Sequence, residues 1–576
     1  MAFDSFITAA VTQQLQQHII GAKIVKIHQP DRHSIILRFY GPSDTGKLLI
    51  SAHPQNPRIH LIEKTGENPL QPPLFCMVLR KYLEGGKVTA VRQKGLERIV
   101  EIDFAIRNDL GDATICRLVI EIMGKHSNII LLNEKNIIID GIRRYSHQLS
   151  RYREVLPGQT YLAPPPQHKK IISSWDEEQL AQAMWQLPID LTVKEALSRL
   201  AEGFSPLMVQ EVLKRAGLEQ NLPISQLGQY EIRKLNQSLD QIYDIYYKKA
   251  FAPVIRYQQH KALDFAAFPL LLWQGEEERF DDISHMLEKF YTQKSTQELF
   301  QAKKRELLKI ISTHYSRISK KIILQQRDLA QSEAGDRYKE AGDLLSAHLY
   351  SLEKGLSNIE LESFYEPGKF ISIELKPELS PQENCQRYYR LYNKCKKSHK
   401  LIQEQLTASL EEEAYIASVL LNAEQSASLA ELQDIREELA AGGYIKEAKA
   451  PKNKDRPLPP RSFTSRDGLT ILVGRNNRQN DKLTLKMAAK NDIWLHAQKI
   501  PGSHVIIRSG GQPVPLSTLK QAASLAAWYS KAQKSSNVPV DYTSVDQVKK
   551  PHGAKPGMVI YYQQKTLYVD PEEPQE

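Results

Sequence analysis

Between about Asp282 and Leu439 the apolar positions run in long charged stretches with one narrow stripe. Leu307, Ile311, Ile318, Ile322 and Leu329 fall at spacings of 4, 7, 4 and 7. That is an eleven-residue repeat of about 3.67 residues per turn, which keeps a single seam aligned along a helix. The pattern predicts a coiled-coil arm. Ile359, Leu361 and Phe364, then Glu366-Pro-Gly-Lys369, then Phe370, Ile371, Ile373 and Leu375 predict two short strands around a Pro-Gly turn. A second arm starts near Pro381, with Leu406, Leu410, Leu420, Leu432, Ile435 and Leu439 as its seam and Gly442-Gly443 beyond its end. About 60 helical residues make a rod of roughly 90 Å. An antiparallel hairpin of such arms returns the chain to where it left.

The pattern before the arms is different. Short alternating runs at Lys23–Ile27, Ser34–Tyr40, Leu48–Ser51 and Arg58–Ile62 predict strands. A helix opens at Pro72-Pro73, carries Phe75, Met77, Val78, Leu79 and Leu83, and stops at Gly85-Gly86. Strands follow at Val88–Gln93, Arg98–Ile106, Cys116–Met123 and Asn128–Leu132. The residues 1–174 therefore read as an antiparallel α+β domain, followed by a helical block over 175–250 and strands over 251–281, Pro253–Arg256 and Phe268–Trp273 among them, that return to the first domain. Gly41-Pro-Ser-Asp-Thr-Gly46-Lys47 resembles half of a phosphate-binding loop. Leu48 stands where such a loop needs a hydroxyl, and a strand follows where it needs a helix, so a hairpin turn is the better reading.

After the arms (282–440), a Lys/Pro-rich linker at 449–460 leads to a last domain over 461–569 and an acidic tail over 570–576. The last domain reads as strand Leu469–Val473, a polar loop Gly474–Asp481, a helix at Lys482–Lys490, strands Asp492–Ala497 and Ser503–Ile507, a helix Ser517–Ser530, and strands Met558–Tyr562 and Thr566–Val569.

Charge sharpens this division. Of the formal net charge of +10, residues 451–576 contribute 19 Lys+Arg against 10 Asp+Glu, or +9, and without the acidic tail the excess is +13. A local excess of this size on a folded module is a footprint for polyanions, and nucleic acid fits better than membrane because no amphipathic basic helix accompanies it. No run of 18 apolar residues, no signal-peptide pattern at Met1-Ala-Phe-Asp and no CxxC pair among four cysteines lead to the expectation of a cytoplasmic, reduced protein without metal or cofactor.

Four stretches carry a resemblance. Val473-Gly-Arg-Asn-Asn477 with Asn491-Asp-Ile-Trp-Leu-His-Ala-Gln-Lys-Ile-Pro-Gly-Ser-His504 closely resembles the C-terminal motif of the NFACT family of ribosome quality-control factors. Phe75-Cys-Met-Val-Leu-Arg-Lys81, Glu121-Ile-Met-Gly-Lys-His-Ser-Asn128 and Gly203-Phe-Ser-Pro206 are similar to the family's N-terminal motifs. The resemblance implies an α+β multidomain chain: an N-terminal NFACT-N domain, a helix-hairpin-helix-like block, a coiled-coil hairpin, and a small basic α/β RNA-binding domain, NFACT-R. It also implies a non-enzymatic factor that binds obstructed large ribosomal subunits carrying peptidyl-tRNA and a nascent chain. There it recruits alanyl-tRNA for untemplated alanine tailing, with the peptidyl-transferase centre forming the bonds. A small S4-like RNA-binding cofactor is a further implied partner.

Carried over by position, the tRNA-handling residues are Glu97, Arg98, Glu121, Ile122 and Met123, with Lys125 in the adjoining loop. The family usually has Asp-Arg where this chain has Glu97-Arg98. Contacts to ribosomal RNA are expected from Arg475, Arg478, Trp494, His496, Lys499 and His504, and on the second arm from Arg387, Lys396 and Lys397, where rings and cations alternate. Each has a plainer reading: surface charges at strand ends, hydrogen-bonded core histidines, a solvated helix face. Two other functions stay open at this stage. The first domains look distantly like formamidopyrimidine-type DNA glycosylases, although the chain lacks their N-terminal proline nucleophile and four-cysteine zinc finger. A surface adhesin for fibronectin is the other, without an evident leader or anchor.

Overall fold

The computed structural model describes residues 3–41, 45–107, 111–148, 151–165, 169–333, 335–366, 368–446 and 458–574. The chain divides into two compact units, Met1–Gln297 and Glu298–Glu576. Most of the 449–460 linker and the middle of the Gly41–Lys47 loop lie outside the described residues.

The first unit is built on one antiparallel nine-stranded sheet in the order Arg58–Leu61, Thr45–Ser51, Ser34–Tyr40, Lys23–Asp31, Lys87–Gln93, Ile99–Arg107, Ala113–Glu121, Asn128–Leu132, Ile138–Gly141. It is two meanders that meet through the single pair Lys23 and Lys87. The helix Leu74–Leu83 interrupts the succession, with Pro73 as its N-cap and Cys76, Leu79 and Leu83 turned inward. Lys47 lies in a strand, as the hairpin reading requires.

A helix the sequence reading did not name, Ser5–His18, opens the unit. Asp4 caps it by accepting from Phe6 N and Ile7 N, each 3.0 Å, and the helix is buried on most of its sides, with Phe6, Ile7, Val11 and Leu15 in the core. The helical block contains Glu177–Trp185, Val193–Leu200, Pro206–Ala216 and Gln229–Tyr247. Ser205 caps the third of these and Gly217, at φ 69°, ends it in a left-handed conformation that glycine adopts without strain. Val254–Gln258, Lys261–Ala266 and Glu277–Arg279 form a separate three-stranded sheet. They join the first domain's core rather than its sheet, and Phe268–Trp273, expected as a strand, is instead a turn whose rings are buried.

The long helix Ile283–Glu333 begins in the first unit and from Glu298 on belongs to the second. Leu307, Ile311, Ile318 and Ile322 are buried as the eleven-residue repeat expects, whereas Leu329 is half-buried and lies outside that cluster. Its partners on the helices Pro381–Gln425 and Leu429–Ala441 are mainly Tyr415, Ile416, Val419, Ala423, Leu432, Ile435 and Leu439. Leu410, expected in that seam, is 45% exposed, because Ile416, Val419 and Ala423 take the inward face at helical spacing. The pairing is antiparallel. Lys304 Nζ donates to the carbonyls of Glu424 and Ser426, Ser319 to Glu413, and Ser332 Oγ lies 3.0 Å from His399 Nδ1. At the far end the helix Gly335–Ala347 packs on Cys385 and Tyr388, and Asn358–Glu362 pairs with Phe370–Glu374.

The last domain is a six-stranded antiparallel sheet: Arg461–Thr464, Thr470–Val473, Val505–Ile507, Ile493–Ala497, Val538–Ser544, Lys565–Val569. The helix Leu516–Trp528 covers one face over Ile471, Val473, Leu495, Val505, Ile507 and Val540. Leu483, Trp494, Ile506, Val545 and Val548 form a smaller core on the other. The helix expected at Lys482–Lys490 starts earlier, as Asn477–Lys482 running into the wider turn Leu483–Met487, because Asn476 caps it by accepting from Gln479 N. Among the described residues no helix is long and apolar enough to cross a membrane.

Candidate nucleic-acid interface

The turn between the strands Lys87–Gln93 and Ile99–Arg107 is held from both sides. Lys94 N donates to Ile99 O and Glu97 N to Lys94 O, each 3.0 Å, while Gln93 Nε2 bridges Glu97 O at 2.8 Å and Ser5 O at 3.1 Å. Arg98 then opens the strand edge, its carbonyl accepting from Ile122 N at 2.9 Å. Its side chain is half-buried. Burial disfavours its charge, and the nearby Asp4 carboxylate favours it.

Asp4 is a functional candidate that the motif reading missed. Burial pushes its carboxyl up to about 6, against the pull of Ile7 N, Ser205 Oγ, Phe6 N and Arg98. Ser205 Oγ donates to Asp4 Oδ2 at 3.2 Å, so the residue that caps the helix Pro206–Ala216 also holds the cap of the first helix. Gly203 lets the chain lie close against the turn: at φ 82°, a Cβ there would lie 2.7 Å from that of Leu96. Glu202 Oε1 accepts from Leu96 N at 3.2 Å. Burial, then the charge of Glu202, pushes Glu97 up, and Lys169 is pushed down by burial and by Arg98. The fold thus gathers Asp4, Glu97, Arg98, Lys169 and Ser205 from separate stretches. A half-exposed guanidinium on a rigid strand edge is suited to contact phosphate or stack on a base. The available signal for Asp4 was its place before Ser5-Phe-Ile, an N-cap pattern.

The second motif divides in two. Glu121 is buried, and both its carboxylate oxygens are taken: Arg153 donates to them at 2.6 and 2.5 Å and Tyr161 Oη at 2.9 Å. Burial, then the charge and contact of Glu121, push the Tyr161 phenol well up. Ile122 is a core side chain. In this structure both side chains are buried and support the loop that follows. Met123 is half-buried and Lys125 exposed on the turn Gly124–His126, which Ser127 Oγ pins by accepting from Met123 N at 2.8 Å.

The C-terminal motif also turns inward. Trp494 is fully buried, its ring stacked 5.7 Å from His496 and edge-on to His504 at 5.3 Å. His504 is buried, with Nδ1 2.8 Å from Thr484 Oγ1, and burial holds its pKa down to about 3. Burial likewise lowers the half-buried His496, whose Nε2 lies 3.3 Å from Gly502 O. Asp492 ties the motif by accepting from Ala489 N at 2.8 Å and Ser509 N at 3.0 Å. Trp494 and His504 are thus held in the core of the domain, and His496 lies half-buried beside them.

Arg475 is engaged within the protein. With Arg461 it grips Glu431 of the helix Leu429–Ala441, a buried carboxylate, and its Nε donates to Pro459 O at 2.8 Å. Gly474 must lack a side chain, because a Cβ would lie 1.9 Å from Asn480 Oδ1. Arg478 and Lys499 are exposed, and Arg478, Lys482 and Lys486 fall at spacings of four residues on one exposed helical stripe. On the second arm Lys396 and Lys397 are exposed. Arg387 is half-buried over the Tyr388 ring at 5.4 Å, and its buried Nη1 has no hydrogen-bond partner among the described residues.

Fold and site together define a multidomain α+β chain with a paired-helix arm and a basic terminal module. The NFACT N-terminal and middle domains match residues 4–457, and the NFACT protein RNA binding domain matches residues 460–563. The chain belongs to the NFACT family. It is similar to the Rqc2 homolog RqcH of Bacillus subtilis (strain 168), 39% identical over 580 residues, covering 99% of this chain and 98% of that protein. The Rqc2 homolog RqcH of Streptococcus suis is 34% identical, covering 100% and 99%. The human ribosome quality control complex subunit NEMF is 21% identical over 243 residues, covering 42% of this chain and 21% of that protein.

Proposed function

We propose that this protein is a cytoplasmic ribosome quality-control factor. It binds obstructed large subunits carrying peptidyl-tRNA and recruits alanyl-tRNA, so that the peptidyl-transferase centre appends an untemplated alanine tail that marks the nascent chain for degradation. The observation that carries this reading is the end-to-end likeness to Rqc2 homologues, at 39% identity over 99% of the chain. That likeness runs through both domain matches and favours this role over a glycosylase or an adhesin.

Within that role Arg98, with Asp4 and Glu97 around it, handles tRNA, and Met123 and Lys125 contribute from the neighbouring turn. The helix-hairpin-helix-like block serves this site by placing Ser205 against Asp4. The basic face with Arg478 and Lys499, and Lys396 and Lys397 on the arm, meet ribosomal RNA. A small S4-like RNA-binding cofactor is a further partner. The protein itself makes no bond.

The test is recovery of the tagged protein from cells, with sequencing of the bound RNA and sedimentation against large subunits. Wild type should enrich one tRNA acceptor class with alanine identity. Arg98→Ala should lose that tRNA and tailing while still sedimenting with subunits. Equal tRNA recovery by Arg98→Ala would remove the site from this turn.

A further inference from the structure

Three cations stand directly opposite one another on three neighbouring strands of the N-terminal sheet. Lys26 of Lys23–Asp31 pairs with Arg38 of Ser34–Tyr40, and Arg38 pairs with Lys47 of Thr45–Ser51. Directly opposed residues share one face, with Cβ atoms about 5 Å apart, so three positive charges lie on a line across the sheet. Like charges placed this way repel and weaken the pairing. Folding alone gives no reason for such a row.

Among the described residues none of the three forms an ion pair with a carboxylate. Lys47 Nζ donates to Glu63 O at 2.7 Å, a neutral carbonyl that leaves the charge in place. Glu84, the nearby acid, is already engaged by Arg80 at 3.7 Å and by Ile27 N at 2.9 Å. His28 reports the same field: burial, then Lys26, Arg80 and Arg38, lower its pKa.

The row is also concave. Lys26, Arg38 and Lys47, with His28, Ile36, Thr65 and Asn68, line a cavity of about 310 Å³. Tyr40 lies two residues from Arg38 on the same strand face and is 65% exposed. A central guanidinium suits bidentate contact with phosphate, flanking lysines suit its neighbours along a backbone, and an exposed ring beside them suits a base.

We propose that Lys26, Arg38 and Lys47, with Tyr40 beside them, form a second RNA-backbone site on the first unit, one that shares no residue with the Arg98 cluster. It reads phosphate and stacking rather than sequence. The proposal deepens the RNA-handling role but needs neither alanine nor the ribosome to be tested.

The full-length protein is treated with an amine-acylating reagent with and without saturating bulk tRNA, and the modification of Lys26 and Lys47 is measured by mass spectrometry. Both lysines should lose reactivity several-fold on adding tRNA, in the wild type and in Arg98→Ala alike. Arg38→Gln should weaken that protection while melting at or above the wild-type temperature, because it removes a repulsion. Unchanged reactivity of both lysines in wild type overturns the site. Equal protection by inorganic phosphate, or by vesicles of phosphatidylglycerol, overturns its assignment to RNA. Loss of protection in Arg98→Ala alone would show that the lysines only follow binding elsewhere, which also overturns it.

Discussion

The turn Lys94–Arg98, to which family positions carry over, and the stretch Asn491–His504, which carries the resemblance itself, meet opposite surroundings. Arg98 is left half out at a strand edge, beside a carboxyl that burial has pushed up to about 6. Trp494 and His504 are turned into the core, and the histidine is kept neutral. The same contrast recurs inside one motif, where Glu121 is sealed against Arg153 while Lys125, four residues on, is exposed. A motif residue can thus touch the ligand or hold the residue that does. Burial, together with the state of its hydrogen bonds, separates the two.

The largest test of this contrast is Glu121→Ala. It leaves the Arg153 guanidinium buried without its carboxylate, which costs about 3–5 kcal/mol. Denaturant unfolding of the first unit should show that loss, whereas Arg98→Ala should stay within about 1 kcal/mol of wild type. A Glu121→Ala protein of normal stability that no longer binds tRNA would make Glu121 a contact and break the contrast.

A second test uses pH. His504 in the folded protein titrates near 3, far below the roughly 6.5 of an unfolded histidine, so in that window the unfolded chain binds the extra proton. Stability from this group is therefore full above about pH 6.5 and falls as the pH drops toward 3, by about 1.4 kcal/mol per unit. Hydrogen exchange over residues 493–507 should report a loss of about 2 kcal/mol between pH 7 and 5, and His504→Gln should flatten most of it. The half-buried His496 acts in the same direction.

Removing a holding arginine should cost about as much. Arg475→Ala takes one of two guanidinium partners from Glu431, and a loss of about 1–3 kcal/mol is expected in the melting of the second unit. RNA affinity at fixed salt should hardly change. Arg475→Ala that kept its stability and lost RNA would return this residue to the interface.

The smallest effects belong to the exposed cations. Lys499→Ala or Arg478→Ala should leave melting unchanged and make the salt dependence of RNA binding shallower by about one unit of slope. Glu97→Asp, which restores the family's usual residue, should be tolerated in tRNA recovery. A salt slope untouched by either cation would move the RNA face elsewhere on the domain.

Local pattern was enough for the elements. The Leu307–Ile322 repeat, the alternating strands of the first sheet and the Pro73 helix start were all legible, because periodicity and backbone stereochemistry act over a few residues. The helix Ser5–His18 shows no single apolar stripe, because it is buried on most of its sides, and only the Asp4 cap marks its start. In the second arm Leu410 looked like a seam residue. Only the partner helix, by facing Tyr415, Ile416 and Val419, decided which stripe is inside.

The sequence by itself determined the kind of protein this is: its succession of domains, the basic excess after residue 450, and the motifs that place it in its family. What only the tertiary structure decided is which side chains of those motifs face outward. Asp4, Arg98, Lys169 and Ser205 are far apart along the chain and meet only because the sheet and the helical block share one core. Arg475 and Glu431 likewise find each other across the paired helices and the last domain. Charge is carried by single residues and can be read from a string. Whether that charge is spent inside the protein or offered to RNA depends on distances that folding alone creates.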